Sequence, residues 1–372
     1  MGERLHLVTG YPGLLGRQLV ERLAAANERL VLLVQQAHAA TARAALAGNP
    51  GVEVLEGDVT YIHLGLSGAE WRSLTGHLTH AWHLAAKTQL RAEDQLLRRV
   101  NVDGTRQLLE LCEQASSLER FIHFSTAFVS GTRTGTVLEE ELEAGQGFHN
   151  AYEQSKYQAE LLVRRASPAL PITVLRPSLV IGDSRTGQID RLDGPYALAM
   201  ALVNAPVAMP LPLPEDPQAP LNVVPIDFVI DAALVVGPHP AAVGRTVHLV
   251  DPAPLPARAV YELIATRLGR RLATVPVPQR ALSALRRLPV LQRFGRRTAQ
   301  AFHYVDHLAH YDTRNLLELL GGSGVSCPPI TEYVDRLIDF VQASLARQQA
   351  LAESRPGEAT GPASTETPPP HP

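Results

Sequence analysis

Apolar residues follow two rhythms along the first 176 positions of this chain. Short apolar runs at 5–8, 30–34, 52–55, 79–84, 121–124 and 172–175 predict buried strands. Between most of them apolar positions recur every three or four residues, as at 19–26 and from Tyr152 towards Val163, which predicts helices. Strands alternating with helices need right-handed crossovers, which produce a parallel sheet covered on both faces. Beyond Arg176 proline clusters at 206–220 and 252–256 separate shorter elements, with no second glycine fingerprint and no internal repeat. From 346 onward Ala, Glu, Ser, Thr and Pro dominate, a composition too poor in large apolar residues to fold alone.

The run Thr9-Gly10-Tyr11-Pro12-Gly13-Leu14-Leu15-Gly16 lies between the first apolar run and the first helical pattern. A strand that turns sharply into a helix beside a phosphate needs positions without a β-carbon: for the turn, for close approach and for helix packing. Gly10, Gly13 and Gly16 have that spacing, and the helix N-terminus adds unpaired N–H donors, so a dinucleotide pyrophosphate is expected here. The predicted fold class is therefore α/β: a Rossmann-type doubly wound parallel sheet over 1–176, then a smaller C-terminal α/β substrate lobe over 177–345. Some segments of that lobe are expected to return to the sheet, and 346–372 to form a disordered tail.

Charge and cysteine content narrow the partners. Net charge is −3 over 372 residues, which gives no reason to expect nucleic acid. Cys112 and Cys327 are the only cysteines, so neither a disulfide framework nor a thiolate metal site is expected. His77, His80 and His83 form no ligand set with nearby acids, and no metal is expected. No secretory signal and no membrane-spanning apolar run is visible, so a cytoplasmic location is expected. Between 263 and 305, however, nine arginines and no carboxylate accompany Leu282, Leu285, Leu288, Leu291 and Phe294 at near-helical spacing. Such a segment suits an acidic carrier protein or peripheral contact with an anionic membrane; a solvated helix face is the plain alternative.

The candidate chemistry begins at Tyr152-Glu153-Gln154-Ser155-Lys156. Residues four apart share a helix face, and an ammonium near a phenol is expected to lower its pKa, making Tyr152 a general acid–base. Lys156 is one of two lysines in the chain, and its compact ammonium suits ribose hydroxyls better than a guanidinium does. The predicted strand 121–124 runs into Ser125-Thr126-Ala127, where the Thr126 hydroxyl would meet a substrate oxygen as it gains charge.

The chain resembles extended short-chain dehydrogenases/reductases. The 9–16 loop matches the nucleotide loop of that family, with Tyr11, Leu14 and Leu15 in the cofactor contact. Gly57-Asp58-Val59-Thr60 resembles the adenine turn, and His83-Leu84-Ala85-Ala86 the segment beneath the cofactor. Asn101-Val102-Asp103-Gly104-Thr105 matches the N-V-x-G-T helix; Leu175-Arg176-Pro177-Ser178 is similar to the strand end that meets the nicotinamide. The resemblance implies cofactor contacts at Asp58, Val59, Leu84, Ala85, Ala86, Asn101, Lys156, Pro177 and Ser178. It implies catalysis by Thr126, Tyr152 and Lys156, with threonine in place of the commoner serine.

Within the family, Ser125-Thr126-Ala127-Phe128-Val129, the stretch from Pro177 to Gly187, Tyr311-Asp312-Thr313-Arg314-Asn315 and Cys327-Pro328-Pro329 are similar to one branch. That branch holds fatty acyl-CoA reductases, male-sterility proteins and terminal thioester reductase domains. It implies reduction of an acyl thioester, carried on coenzyme A or a carrier protein, to an aldehyde or onward to an alcohol. After Val34 stand Gln35 and Gln36, neither of which would clasp a ribose diol as an acid does, so NADP(H) is favoured over NAD(H). Gln35 is placed at the cofactor, and Arg17 or Arg43 is the candidate for its 2′-phosphate. A dehydrogenase or epimerase acting on a sterol, polyketide or sugar would use the same three residues, whereas a nucleotide-binding regulator would need none of them.

Overall fold

The computed structural model describes residues 4–89, 92–189, 216–269 and 307–353. Its strands are β1 (Leu5–Thr9), β2 (Arg29–Val34), β3 (Val52–Glu56), β4 (His80–His83), β5 (Arg120–Phe124), β6 (Gly135–Val137), β7 (Ile172–Pro177), β8 (Leu179–Ile181), β9 (Val223–Pro225), β10 (Thr246–Leu249) and β11 (Ala309–Tyr311). Seven of them form one sheet in the order β10-β7-β5-β4-β1-β2-β3, and every pairing within it is parallel. The six expected strands are all present. The seventh, β10, is a lobe segment that returns to the sheet, but its position was not marked in advance: four residues with His248 among them carry no run long enough to signal a strand, and pairing with β7 supplies the order.

The chain builds outward from β1 to β3, then returns to β4 on the other side of β1. That reversal opens a crevice at the carboxyl ends of β1 and β4, where doubly wound sheets hold ligands. Successive strand residues point to opposite faces, so Leu7 and Val8 enter different cores. On one face α1 (Leu14–Ala25) packs with the helices Ile226–Val236 and Arg314–Leu320. On the other lie α3 (Gly68–His77), α5 (Gly104–Gln114) and α6 (Ala151–Ala166); α2 (Gln36–Leu46) and the short α4 (Asp94–Leu97) complete the set before the lobe.

A third core unites Ile181, Leu221, Tyr261 and Tyr333 in the C-terminal part of the chain. The helix Val334–Glu353 carries the chain beyond 346, where a tail was expected to start, because its Ala, Gln, Arg and Leu are good helix formers. The rest of that tail, 354–372, lies outside the described residues, as do all the arginines of the basic segment except Arg267. Among the described residues no helix is long and apolar enough to cross a membrane.

Candidate active site

The glycine loop is built by contact with main chain. Gly10 has φ +92°, and a β-carbon there would lie 2.7 Å from the Leu84 carbonyl carbon and 2.8 Å from the Ala85 nitrogen. β-carbons on Gly13 and Gly16 would each lie 2.7 Å from the Gly10 carbonyl oxygen. The start of α1 is thereby drawn onto the end of β1, and its N-cap, Gly13, offers no side chain to the first-turn N–H groups. Tyr11 packs its ring into the core, with Leu14 and Leu15 against the same cluster.

Beyond β4, one hydrogen-bonded chain sets the floor of the crevice. Ala85 N–H donates to Thr9 Oγ1 (3.2 Å), and Thr9 Oγ1 lies 2.9 Å from His83 Nδ1. His83 Nε2 lies 2.9 Å from Thr105 Oγ1, which donates to the Asn101 carbonyl (2.7 Å). Burial, with Lys156 adding to it, lowers the His83 pKa to about 3, so the ring is neutral. Leu84, Ala85 and Ala86 are half-buried along this edge. Asn101 is more fully engaged than a cofactor ligand needs to be. Its Oδ1 accepts from Lys87 N–H (2.7 Å), and its Nδ2 donates to the Lys87 carbonyl (3.1 Å) and to Ser155 Oγ (2.8 Å).

At the end of β2, Gln35 Nε2 donates to Asp58 Oδ2 (2.7 Å), whose other oxygen accepts from Thr60 N–H (2.8 Å). Val59 is buried against Gly104, where a β-carbon would come within 2.8 Å of it, so the glycine of the Asn101-to-Thr105 motif lets α5 approach this turn. Arg43 is held by Glu56 at 2.7 Å, and Arg17 lies 3.8 Å from Glu21.

The catalytic candidates meet at the ends of β5 and β7. Thr126 caps the turn Ala127–Ser130, and its hydroxyl donates to the Pro177 carbonyl (3.4 Å). Asn150 caps α6 by accepting from Glu153 N–H (3.0 Å), while Glu153 accepts from His149 N–H (3.0 Å). These caps fix the first turn, which carries the half-buried Tyr152, its hydroxyl hydrogen-bonded to that of Thr126. One turn later the buried Lys156 Nζ donates to the Phe124 carbonyl (2.7 Å).

One electrostatic expectation is corrected. Burial pushes the Tyr152 pKa up to about 12; the Thr126 hydrogen bond works against that and Glu153 with it. Lys156 is turned to Phe124, and burial lowers its own pKa to about 8 against the opposing pull of Glu160. Desolvation of both groups outweighs any mutual stabilisation of their charged forms.

Ser178 Oγ, at the end of β7, is buried with no hydrogen-bond partner among the described residues. This orphaned hydroxyl and the β-carbon-free cradle of Gly10, Gly13 and Gly16 both fit a bound nicotinamide dinucleotide. The residues missed from sequence lie beneath the site. Ser125 Oγ donates to Glu160 Oε2 (2.6 Å), and Glu160 is paired with Arg176 (2.7 Å) and Arg164 (3.0 Å). A signal was available: Arg176 is the one charged residue of its strand, and Glu160 stands one helical turn beyond Lys156.

A family profile described as Male sterility protein matches residues 8–233. The fatty acyl-CoA reductase wat of Drosophila melanogaster is 26% identical over 211 residues, 49% of this chain and 40% of that protein. The nonribosomal peptide synthetase asaC of Aspergillus flavus is 26% identical over 358 residues, 85% of this chain and 34% of that one. The chain thus spans less than half the length of these curated relatives. The crystal structure of the terminal R domain from the myxalamid PKS-NRPS biosynthetic pathway superposes with a TM-score of 0.77 and 26% identity, covering 94% of this chain and 92% of that one.

Proposed function

Because the chain belongs to the male-sterility family of extended short-chain dehydrogenases/reductases, we propose that it reduces acyl thioesters, carried on coenzyme A or an acidic carrier protein, with NADPH and releases an aldehyde. The convergence of Thr126, Tyr152 and Lys156 at the ends of β5 and β7, on the sheet whose β1 end carries the glycine loop, supports this reading. When bound, the nicotinamide nucleotide supplies the hydride. The first turn of α1 and the cradle of Gly10, Gly13 and Gly16 would hold its pyrophosphate, Asp58 and Val59 its adenine end, and Ser178 and Pro177 its nicotinamide end. Lys156 would hold ribose hydroxyls.

The Thr126 and Tyr152 hydroxyls would turn to donate to the thioester carbonyl oxygen, Thr126 giving up its bond to the Pro177 carbonyl. Their donation strengthens as that oxygen gains negative charge, so it favours the transition state over the bound substrate. Tyr152, with its pKa raised, holds its proton until the oxygen becomes basic enough to take it. Collapse of the resulting hemithioacetal expels the thiol. NADPH preference is supported by the absence of an acid at positions 35 and 36.

The test is a panel of acyl-CoA and acyl-carrier thioesters offered with NADPH and with NADH, following absorbance loss, thiol release and the carbonyl product. Thiol release that matches cofactor oxidation is expected. Ketone or sugar turnover without thiol release would replace this reading with the dehydrogenase one.

A further inference from the structure

Helix α6 carries polar side chains at one-turn intervals on one face: Tyr152, Lys156 and Glu160. The first two belong to the proposed reaction, and the third lies deeper. Glu160 has a fully buried side chain. It accepts from Arg176 Nη2 (2.7 Å) and Nε (3.0 Å), from Arg164 Nε (3.0 Å) and from Ser125 Oγ (2.6 Å). Its partners are the chain neighbours of the site. Ser125 precedes Thr126, and Arg176 precedes Pro177, whose carbonyl accepts the Thr126 hydroxyl.

Desolvation offsets most of the attraction within a buried ionic cluster, so stability alone is a poor account of this one. Its charge balance suggests another task. Lys156 shares its face of α6 with Tyr152 and Glu160, and its charge is felt by His83 on β4 and His123 on β5; Arg164 and Arg176 lie on the far side of Glu160 as its partners. Beyond Arg176 lie His248 on β10 and the 139–141 loop. The three carboxylates of that loop are directed elsewhere, Glu139 to the N–H groups of His248 and Asn315, Glu140 to Arg314 and Glu141 to Arg133. On α6 the buried Glu153 is turned to His149 and Asn150, whereas Glu160, buried one helical turn beyond Lys156, is the carboxylate that favours its ammonium form.

We propose that Glu160 is a positioning residue that keeps Lys156 cationic in a dry site and, through Ser125 and Arg176, fixes the strand ends from which Thr126 works. Its relevance to turnover rests on the thioester reductase reading, but the charge of Lys156 is measurable without turnover. The chain has two lysines, Lys87 and Lys156, so lysine labelled with carbon-13 at the ε-methylene gives two nuclear magnetic resonance signals, and Lys87→Arg assigns them.

Removing an adjacent anion destabilises an ammonium, so Glu160→Gln is expected to lower the Lys156 titration midpoint by about one pH unit. Glu160→Asp is expected to restore most of it. Arg164 is partly exposed, and Arg164→Gln, which removes a cation that competes for Glu160, is expected to move the midpoint upward. Opposite shifts from the two sides of one ion pair are a signature that a merely structural role does not produce. The alkaline limb of thioester-dependent turnover is expected to follow the midpoint. Should Glu160→Gln not fold, Arg164→Gln decides alone. A midpoint unmoved by these substitutions overturns the inference, whereas midpoints that move in a protein inactive on every thioester overturn the functional reading and leave this one standing.

Discussion

The two sides of the crevice prepare for their ligands by different physical means. On the β1 side the glycine loop presents main chain: a strand end, a helix start and a cradle in which every tight contact is to carbonyl or amide atoms. On the β5 and β7 side the site rests on buried charge, with Lys156, Glu160 and Arg176 all withdrawn from solvent. Main-chain N–H groups carry no net charge, need no counter-ion and fit a diphosphate of any sequence context. A buried carboxylate must be compensated, and Glu160 draws its partners from three separate segments: Ser125 beyond β5, Arg164 on α6 and Arg176 on β7. The first design is local in the chain; the second is distributed.

The strongest break in this comparison is expected at the catalytic side. Tyr152→Phe is expected to lower thioester-dependent turnover by roughly 100- to 10,000-fold while nucleotide binding, measured by fluorescence titration, persists. Loss of both together would mean that the two sides are not separable. Next in size, Arg176→Leu leaves the buried Glu160 with only Arg164 and Ser125 as partners and is expected to destabilise the protein by about 3 kcal/mol in denaturant unfolding. An unchanged midpoint would show that the cluster is not under electrostatic load.

A third test uses pH, because both sides contain buried neutral histidines. His83 on one side and His248 on the other have pKa values lowered by burial to about 3, below their unfolded value of 6.5. Each therefore binds a proton on unfolding, so its contribution is full above pH 6.5 and is lost as pH falls towards 3. The slope is about 1.4 kcal/mol per pH unit for each. Glu139 acts in the opposite sense: burial raises its pKa from 4.5 to about 7, so its contribution is present below pH 4.5 and is lost as pH rises through 7. Stability is expected to fall on acidification from pH 6.5, and more steeply in Glu139→Gln. A variant curve parallel to the parent's would contradict the raised carboxyl.

On the main-chain side, Gly10→Ala combines a positive φ with a clash against Leu84 and Ala85. It is expected to cost about 1–3 kcal/mol in stability and to weaken nucleotide binding, as calorimetry would show. The smallest effect is expected from Arg43→Gln. Glu56 already holds that guanidinium, so NADPH affinity should change by less than about twofold. A tenfold loss would return Arg43 to the 2′-phosphate.

How much was legible follows the same division. The strands, the glycine loop and the four-residue step from Tyr152 to Lys156 were all readable, since each is a local pattern fixed by period or by the steric demands of a turn. β10 was not, because its order comes from β7. The raised pKa of Tyr152 was not, because the chain shows that a lysine is near a tyrosine but not how dry the space between them is.

The sequence by itself determined the doubly wound sheet, the place of its phosphate cradle and the three residue types available for chemistry, because those depend on backbone geometry and short-range spacing. Only the tertiary structure decided which way Lys156 turns, which proton Tyr152 keeps and that Glu160, Arg176 and Ser125 stand beneath them. Those outcomes are set by burial and by charges brought together from distant segments, and no short stretch of sequence contains them.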